Sequence, residues 1–207
     1  MKIANVFMLI TALALVAHGA AFADAVLTVV PPPGPIAAGQ PFTVAIYVTG
    51  PTIVHNGQQI PSDVSDLAAF QFDIAFNCSI PASDPTACQP ATPVLRAKSV
   101  SAGSFLANGS ANITFLEPGS IDNTAGVIRV IGQVGNSGIT GSGALVYVTF
   151  QALAPGTTSI TILPNSDLQL YDSKSNPMVV DDSVTSSPNE ETFPTNQFLS
   201  ASVTIAP

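Results

Sequence analysis

Ala69-Phe70-Gln71-Phe72-Asp73-Ile74-Ala75-Phe76-Asn77 is the stretch on which the fold turns. Phe70, Phe72, Ile74 and Phe76 fall on one side of an extended chain, and Ala69, Gln71, Asp73 and Ala75 on the other, which is the period-two pattern of a half-buried strand. Four large apolar side chains on one face need a second layer over them, each contributing roughly 1.5 to 3 kcal/mol when fully buried. The stretch therefore predicts a mid-sheet strand inside a sandwich. Its outer face, with Gln71 and Asp73, is small and polar, and reads either as solvated surface or as the floor of a partner-binding patch.

Outward from this strand the same grammar repeats. Upstream, Ala25 to Val30 reads as a first strand ended by Pro31-Pro32-Pro33-Gly34-Pro35, since prolines leave few donors for a ladder. Phe42, Val44, Ile46 and Val48 alternate with Thr43, Ala45, Tyr47 and Thr49 between turn residues, and 51 to 66 reads as a polar loop. Downstream come strands over Val94 to Val100, Ala111 to Leu116, Gly126 to Gln133 and Ala144 to Ala152. Thr157 to Leu163, Leu168 to Tyr171 and Phe198 to Ile205 complete the set. In Gly126 to Gln133, Ile128 and Val130 point inward and Arg129 outward; in Ala144 to Ala152, Tyr147 and Thr149 share the outer side. No stretch carries apolar residues at helical spacing over three turns. Short strands punctuated by Gly and Pro predict an all-β sandwich, with the last strand pairing beside the first and bringing the chain ends together.

Residues 1–23 have the form of a secretory signal peptide: Lys2, the apolar run Ile3 to Val16, and the small-residue site Ala21-Phe22-Ala23. The run is shorter than the roughly 20 residues of a spanning helix, so cleavage after Ala23 is expected, leaving 24–207 as a single secreted domain with no membrane attachment. Without Lys2, the five Lys and Arg fall to four (Arg96, Lys98, Arg129, Lys174) against 13 Asp and Glu. That balance excludes nucleic acid as a partner, because phosphate binding needs clustered cations. The charged fraction, 9%, lies far below the roughly 25% of ordinary domains, and suits an exported protein that works against other polymers or proteins. Cys78 and Cys88 are the two cysteines. A close pair in an exported chain predicts a disulfide; two thiolates and one distant histidine do not make a four-coordinate metal site.

In their order, three segments resemble the cohesin domain, the receptor module of cellulosomes. They are Leu67-Ala68-Ala69-Phe70-Gln71-Phe72-Asp73-Ile74-Ala75-Phe76-Asn77, Val94-Leu95-Arg96-Ala97-Lys98-Ser99-Val100-Ser101-Ala102-Gly103-Ser104-Phe105-Leu106, and Gly143-Ala144-Leu145-Val146-Tyr147-Val148-Thr149-Phe150. The tail, Leu168 to Pro177 and Ala201 to Ile205, is similar to the family's last strands. The resemblance implies a nine-stranded jelly-roll sandwich, related to that of some carbohydrate-binding modules, with one flat sheet face that binds a dockerin. The loop 51 to 66, the segment between the cysteines and the loop 177 to 196 are extra relative to a short cohesin.

Catalytic chemistry is not legible. A Ser-His-Asp triad would need His55, which stands in a polar Gly-flanked loop, and no Gly-x-Ser-x-Gly nucleophile elbow is present. An acid/base pair for glycoside hydrolysis needs a desolvating pocket that the pattern does not provide. Asp172-Ser173-Lys174-Ser175-Asn176 has the alternation of a calcium loop, but Lys174 stands where an oxygen ligand is required, so it reads as a turn. Asp181-Asp182 reads as solvated. No cofactor or metal is expected, and the chain is read as a non-enzyme. Asn77, Asn108 and Asn112 are candidate glycosylation acceptors.

Three functions fit: a cohesin-type module that binds a dockerin-like protein, a carbohydrate-binding module, and a secreted structural or matrix protein. Sugar recognition favours rows of exposed aromatic rings. Trp is absent, and Tyr47, Tyr147 and Tyr171 are the candidates. The sequence leans to protein recognition. The partner-binding face is expected to carry Ala69, Gln71, Asp73, Arg129, Tyr147 and Thr149 together.

Overall fold

The computed structural model describes residues 25–55, 58–81, 83–84, 86–107, 113–134, 138–164, 167–178, 180 and 200–207. Residues 1–23, read from sequence as a signal peptide, and Asp181-Asp182 lie outside them, as do Asn108 and Asn112. In chain order the strands are β1 (Val26–Val30), β2 (Ile36–Ala37), β3 (Pro41–Thr49), β4 (Thr52–His55), β5 (Gln58–Pro61), β6 (Val64–Phe76), β7 (Cys78–Ser79), β8 (Gln89–Pro90) and β9 (Leu95–Ala102). A one-turn helix, α1 (Ser104–Ala107), follows. Then come β10 (Ile113–Asp122), β11 (Val127–Val134), β12 (Ile139–Gly141), β13 (Gly143–Ala152), β14 (Gly156–Ile162), β15 (Gln169–Asp172), β16 (Pro177–Met178) and β17 (Ser200–Ala206). Among the described residues no helix is long and apolar enough to cross a membrane.

These strands make an all-β sandwich. A four-stranded sheet, ordered β1-β3-β13-β9, faces a larger sheet ordered β10-β11-β6-β14-β17-β2, with β12, β15 and β16 added at one end of β6. Phe70, Phe72, Ile74 and Phe76 of β6 are all buried, as their alternation predicts. Val44, Ile46, Val148 and Phe150 meet them from the other layer. The rings of Phe76 and Phe150 touch edge to face at 5.3 Å between centroids, so one aromatic contact spans the two sheets. Gly132 stands opposite Phe70 across the β11–β6 ladder, and a Cβ there would come within 2.2 Å of the Phe70 ring. The glycine makes room for the ring to lie over the neighbouring strand.

Asn77 ends β6 in a left-handed conformation, with φ of 51°. Its side chain is buried; Oδ1 accepts from the backbone N–H of Val94 and of Leu95 (3.2 and 3.0 Å), and Nδ2 donates to the Leu95 carbonyl. One amide thus ties the end of a larger-sheet strand to the start of β9 in the smaller sheet. This removes Asn77 as a glycosylation acceptor, because its nitrogen is enclosed and already donating. Asn123, in the turn between β10 and β11, does the same for Ala97, accepting from its N–H at 2.8 Å and donating to its carbonyl at 3.1 Å.

Two sequence expectations are corrected. The final strand does not pair beside β1. It pairs with β14 and lies parallel to β2, with Ile205 opposite Ile36 and Ala206 opposite Ala37. The proline segment explains this, since it carries the chain from β1 in one sheet to β2 in the other, and the last residues come to rest beside Ala37. The segment 51 to 66, read as a loop, folds in part as the antiparallel pair β4–β5, with His55 opposite Gln58.

Candidate functional site

The outer face of the larger sheet is centred on β6. Arg129 of β11 stands directly opposite Asp73. Its Nε donates to Asp73 Oδ1 at 3.0 Å and its Nη2 to Asp73 Oδ2 at 3.1 Å, a two-point pairing that suits the planar guanidinium. Asp73 is only 5% exposed, so this ion pair satisfies a carboxylate that water hardly reaches. Nη2 also donates to Asp167 Oδ2, and Gln71 Nε2 donates to Asp167 Oδ1 at 3.1 Å. Two carboxylates, one guanidinium and one amide form a connected patch with one net negative charge.

The register extends that patch in one direction. Gln71 lies between Ile131 and Gln169, and Ala69 between Gln133 and Tyr171. The Tyr171 hydroxyl donates to Gln169 Oε1 at 2.7 Å. Beside Ala69 the face dips into an open depression of about 580 Å³, lined by Gln133, Tyr171 and the turn that begins at Asp172. In that turn Asp172 Oδ1 accepts from the N–H of Lys174 and of Asn176, and Asn176 Nδ2 donates to Oδ2. Those bonds, the side chain of Asn176 first, hold the Asp172 carboxyl below its ordinary value. The carboxylate caps a hairpin turn, in keeping with the reading from sequence.

Of the six residues expected to share one face, the structure brings together four: Ala69, Gln71, Asp73 and Arg129. Tyr147 and Thr149 are elsewhere. Their strand, β13, pairs with β3 and β9 in the smaller sheet, which turns its outer side the opposite way. Alternation shows which side of β13 is inward, but the sheet a strand joins is set by where its connections cross. Asp167, Gln169 and Tyr171 were not part of the expected face. The alternation of Gln169 and Tyr171 around buried Leu170 signals their outward direction, whereas nothing local marks Asp167, which reaches the patch from the turn before β15.

Cys78 and Cys88 are bonded, with Cα atoms 5.4 Å apart, and close the segment between β7 and β8. Among the described residues no three His, Cys, Asp or Glu gather in a way that could hold a metal ion.

No protein-family model matches the chain, and no curated protein sequence does so either. Solved structures do. A non-cellulosomal cohesin from the hyperthermophilic archaeon Archaeoglobus fulgidus superposes with a TM-score of 0.50 over 87% of this chain and 91% of its own, at 14% identity. A mutant type II cohesin–X-dockerin complex from Acetivibrio cellulolyticus gives a TM-score of 0.50 over 74% of this chain and 90% of the matched one, also at 14% identity. The fold is that of the cohesins, as the residue pattern of β6, β9 and β13 implies.

Proposed function

We propose that the protein is a secreted, non-catalytic recognition module, and that it binds a dockerin-like protein through the outer face of the larger sheet. The observation that carries this reading is the Asp73–Arg129–Asp167–Gln71 patch on the outer face of the larger sheet. Charged groups already fixed in position orient a partner without the cost of ordering them on contact. The cohesin fold supports the class of partner, since one of the solved relatives is a cohesin in complex with a dockerin module. The signal-like residues 1–23 and the Cys78–Cys88 bond support export.

The test separates the two sheets. The secreted chain is titrated by calorimetry with dockerin-type modules from the same secretome, alongside Gln71→Arg on the larger sheet and Tyr147→Ala on the smaller. Binding lost with Gln71→Arg and kept with Tyr147→Ala supports the reading. Failure of every such module to bind, or equal binding by all three forms, would sink it.

A further inference from the structure

We propose that the outer face of the four-stranded sheet, on the opposite side of the molecule from the proposed protein-binding face, binds an anionic polysaccharide whose sugar units carry carboxylates. The two central strands of that sheet are β3 and β13, and each presents a tyrosine there. Tyr47 is 38% exposed, and Tyr147 is half-buried. Tyr147 stands opposite Ala45, which makes Tyr47 its diagonal neighbour. The residues that flank them are short: Thr28 opposite Tyr47, and Ser101 opposite Tyr147. Two aromatic side chains therefore rise from a plain of small hydroxyl-bearing residues. An aromatic face stacks on the apolar C–H face of a pyranose, and Ser, Thr and Tyr hydroxyls both donate to and accept from sugar hydroxyls.

Charge selects the kind of sugar. The chain has 13 acidic residues, yet none lies on β1, β3, β9 or β13. The sheet's charged residues are Arg96 and Lys98, both exposed on β9. Neither forms an ion pair among the described residues, whereas Arg129 on the other side is held by Asp73 and Asp167. A bulge in β9 sets Lys98 and Ser99 against Thr149, while Arg96 stands opposite Gln151. Thr149 and Gln151 are two and four residues along β13 from Tyr147, so the cations lie roughly 7 and 13 Å away along the strand. A ring over Tyr147 and carboxylates on neighbouring units would meet their partners at the same time, which calls for an oligomer. A neutral polymer offers these cations only hydroxyl oxygens, whereas a carboxylate offers a charge-assisted pair of about twice the strength.

The full secreted protein is tested by affinity electrophoresis and calorimetry against polygalacturonate and alginate. Hydroxyethylcellulose serves as the neutral polymer, and phosphatidylserine-containing vesicles as an acidic surface without sugar rings. Binding to the uronate polymers is expected, weakening with added salt. Tyr147→Ala and the double change Arg96→Gln with Lys98→Gln should each reduce it by about tenfold. Tyr147→Phe, which keeps the ring, should retain most of the affinity, and Gln71→Arg on the opposite face should leave it unchanged. No binding to either uronate polymer overturns the proposal, as does binding to the neutral polymer that the charge variant leaves intact. Vesicle binding lost with the charge variant but untouched by Tyr147→Ala overturns it in favour of a lipid surface. Should Tyr147→Ala fail to fold, Tyr147→Phe and the charge variant still decide between these outcomes.

Discussion

The two outer faces of the sandwich follow one plan, alternate side chains of antiparallel strands turned to solvent, and differ in how they hold charge. On the larger sheet Arg129 is clamped between two carboxylates, one of them buried, and Gln71 completes the patch. On the smaller sheet Arg96 and Lys98 stand exposed beside Tyr47 and Tyr147. A clamped charge is part of the architecture, and its loss is felt as lost stability. A free charge costs the fold little to keep or to remove, and its effect is felt by whatever approaches. The same residue type is therefore fixed by carboxylates on one face and stands exposed on the other.

Removing the clamp should break this contrast most severely. Arg129→Ala leaves the Asp73 carboxylate buried and unpaired, and should lower unfolding stability by about 3 kcal/mol in urea or thermal denaturation. Arg129 is itself partly exposed, which places the loss at the low end of the range for broken buried pairs. A loss under about 0.5 kcal/mol would mean that the pair is not structural. Next in size is the Cys78–Cys88 bond. Its sequence separation of 10 gives roughly 2 to 3 kcal/mol by loop-closure entropy, read as the difference between the wild type and a Cys78→Ser, Cys88→Ser variant. Asn123→Ala, which frees the edge of β9 beside the smaller face, should cost roughly 1 to 2 kcal/mol and open Ala97 to hydrogen exchange. On the smaller sheet itself, Arg96→Gln with Lys98→Gln should change stability by no more than about 0.5 kcal/mol; a larger drop would show that these cations are also scaffold. The smallest effect concerns Asp172. Its folded value is depressed, so the stability it contributes is present above its unfolded value and lost as pH falls through the folded one. Its carboxyl signal in an NMR titration should have a midpoint below that of free aspartate, near 3.9, and Asn176→Ala should move the midpoint up.

Much of the fold was legible because the inward faces of β3, β6, β11 and β13 announce themselves by alternation, and Phe70, Phe72, Ile74 and Phe76 are buried as that pattern requires. The site was legible only in half. Period-two reading assigns a side chain to one side of its own strand, and that sufficed for Ala69, Gln71, Asp73 and Arg129 because β6 and β11 are adjacent. It could not say that β13 belongs to the other sheet, so Tyr147 and Thr149 were placed on the wrong side of the molecule. Asp167 was out of reach for a different reason. Its bonds to Gln71 and Arg129 span 96 and 38 residues of sequence, and a turn residue carries no periodic mark of such a partner.

Asn123 offers Ala97 both an acceptor and a donor, the same two groups that a further strand would bring to the open side of β9. A second molecule approaching to extend the four-stranded sheet finds that rung already taken. Asn77 gives the same pair of groups to Leu95 at the start of β9, so two side-chain amides close rungs that strand-by-strand polymerisation at this edge would need.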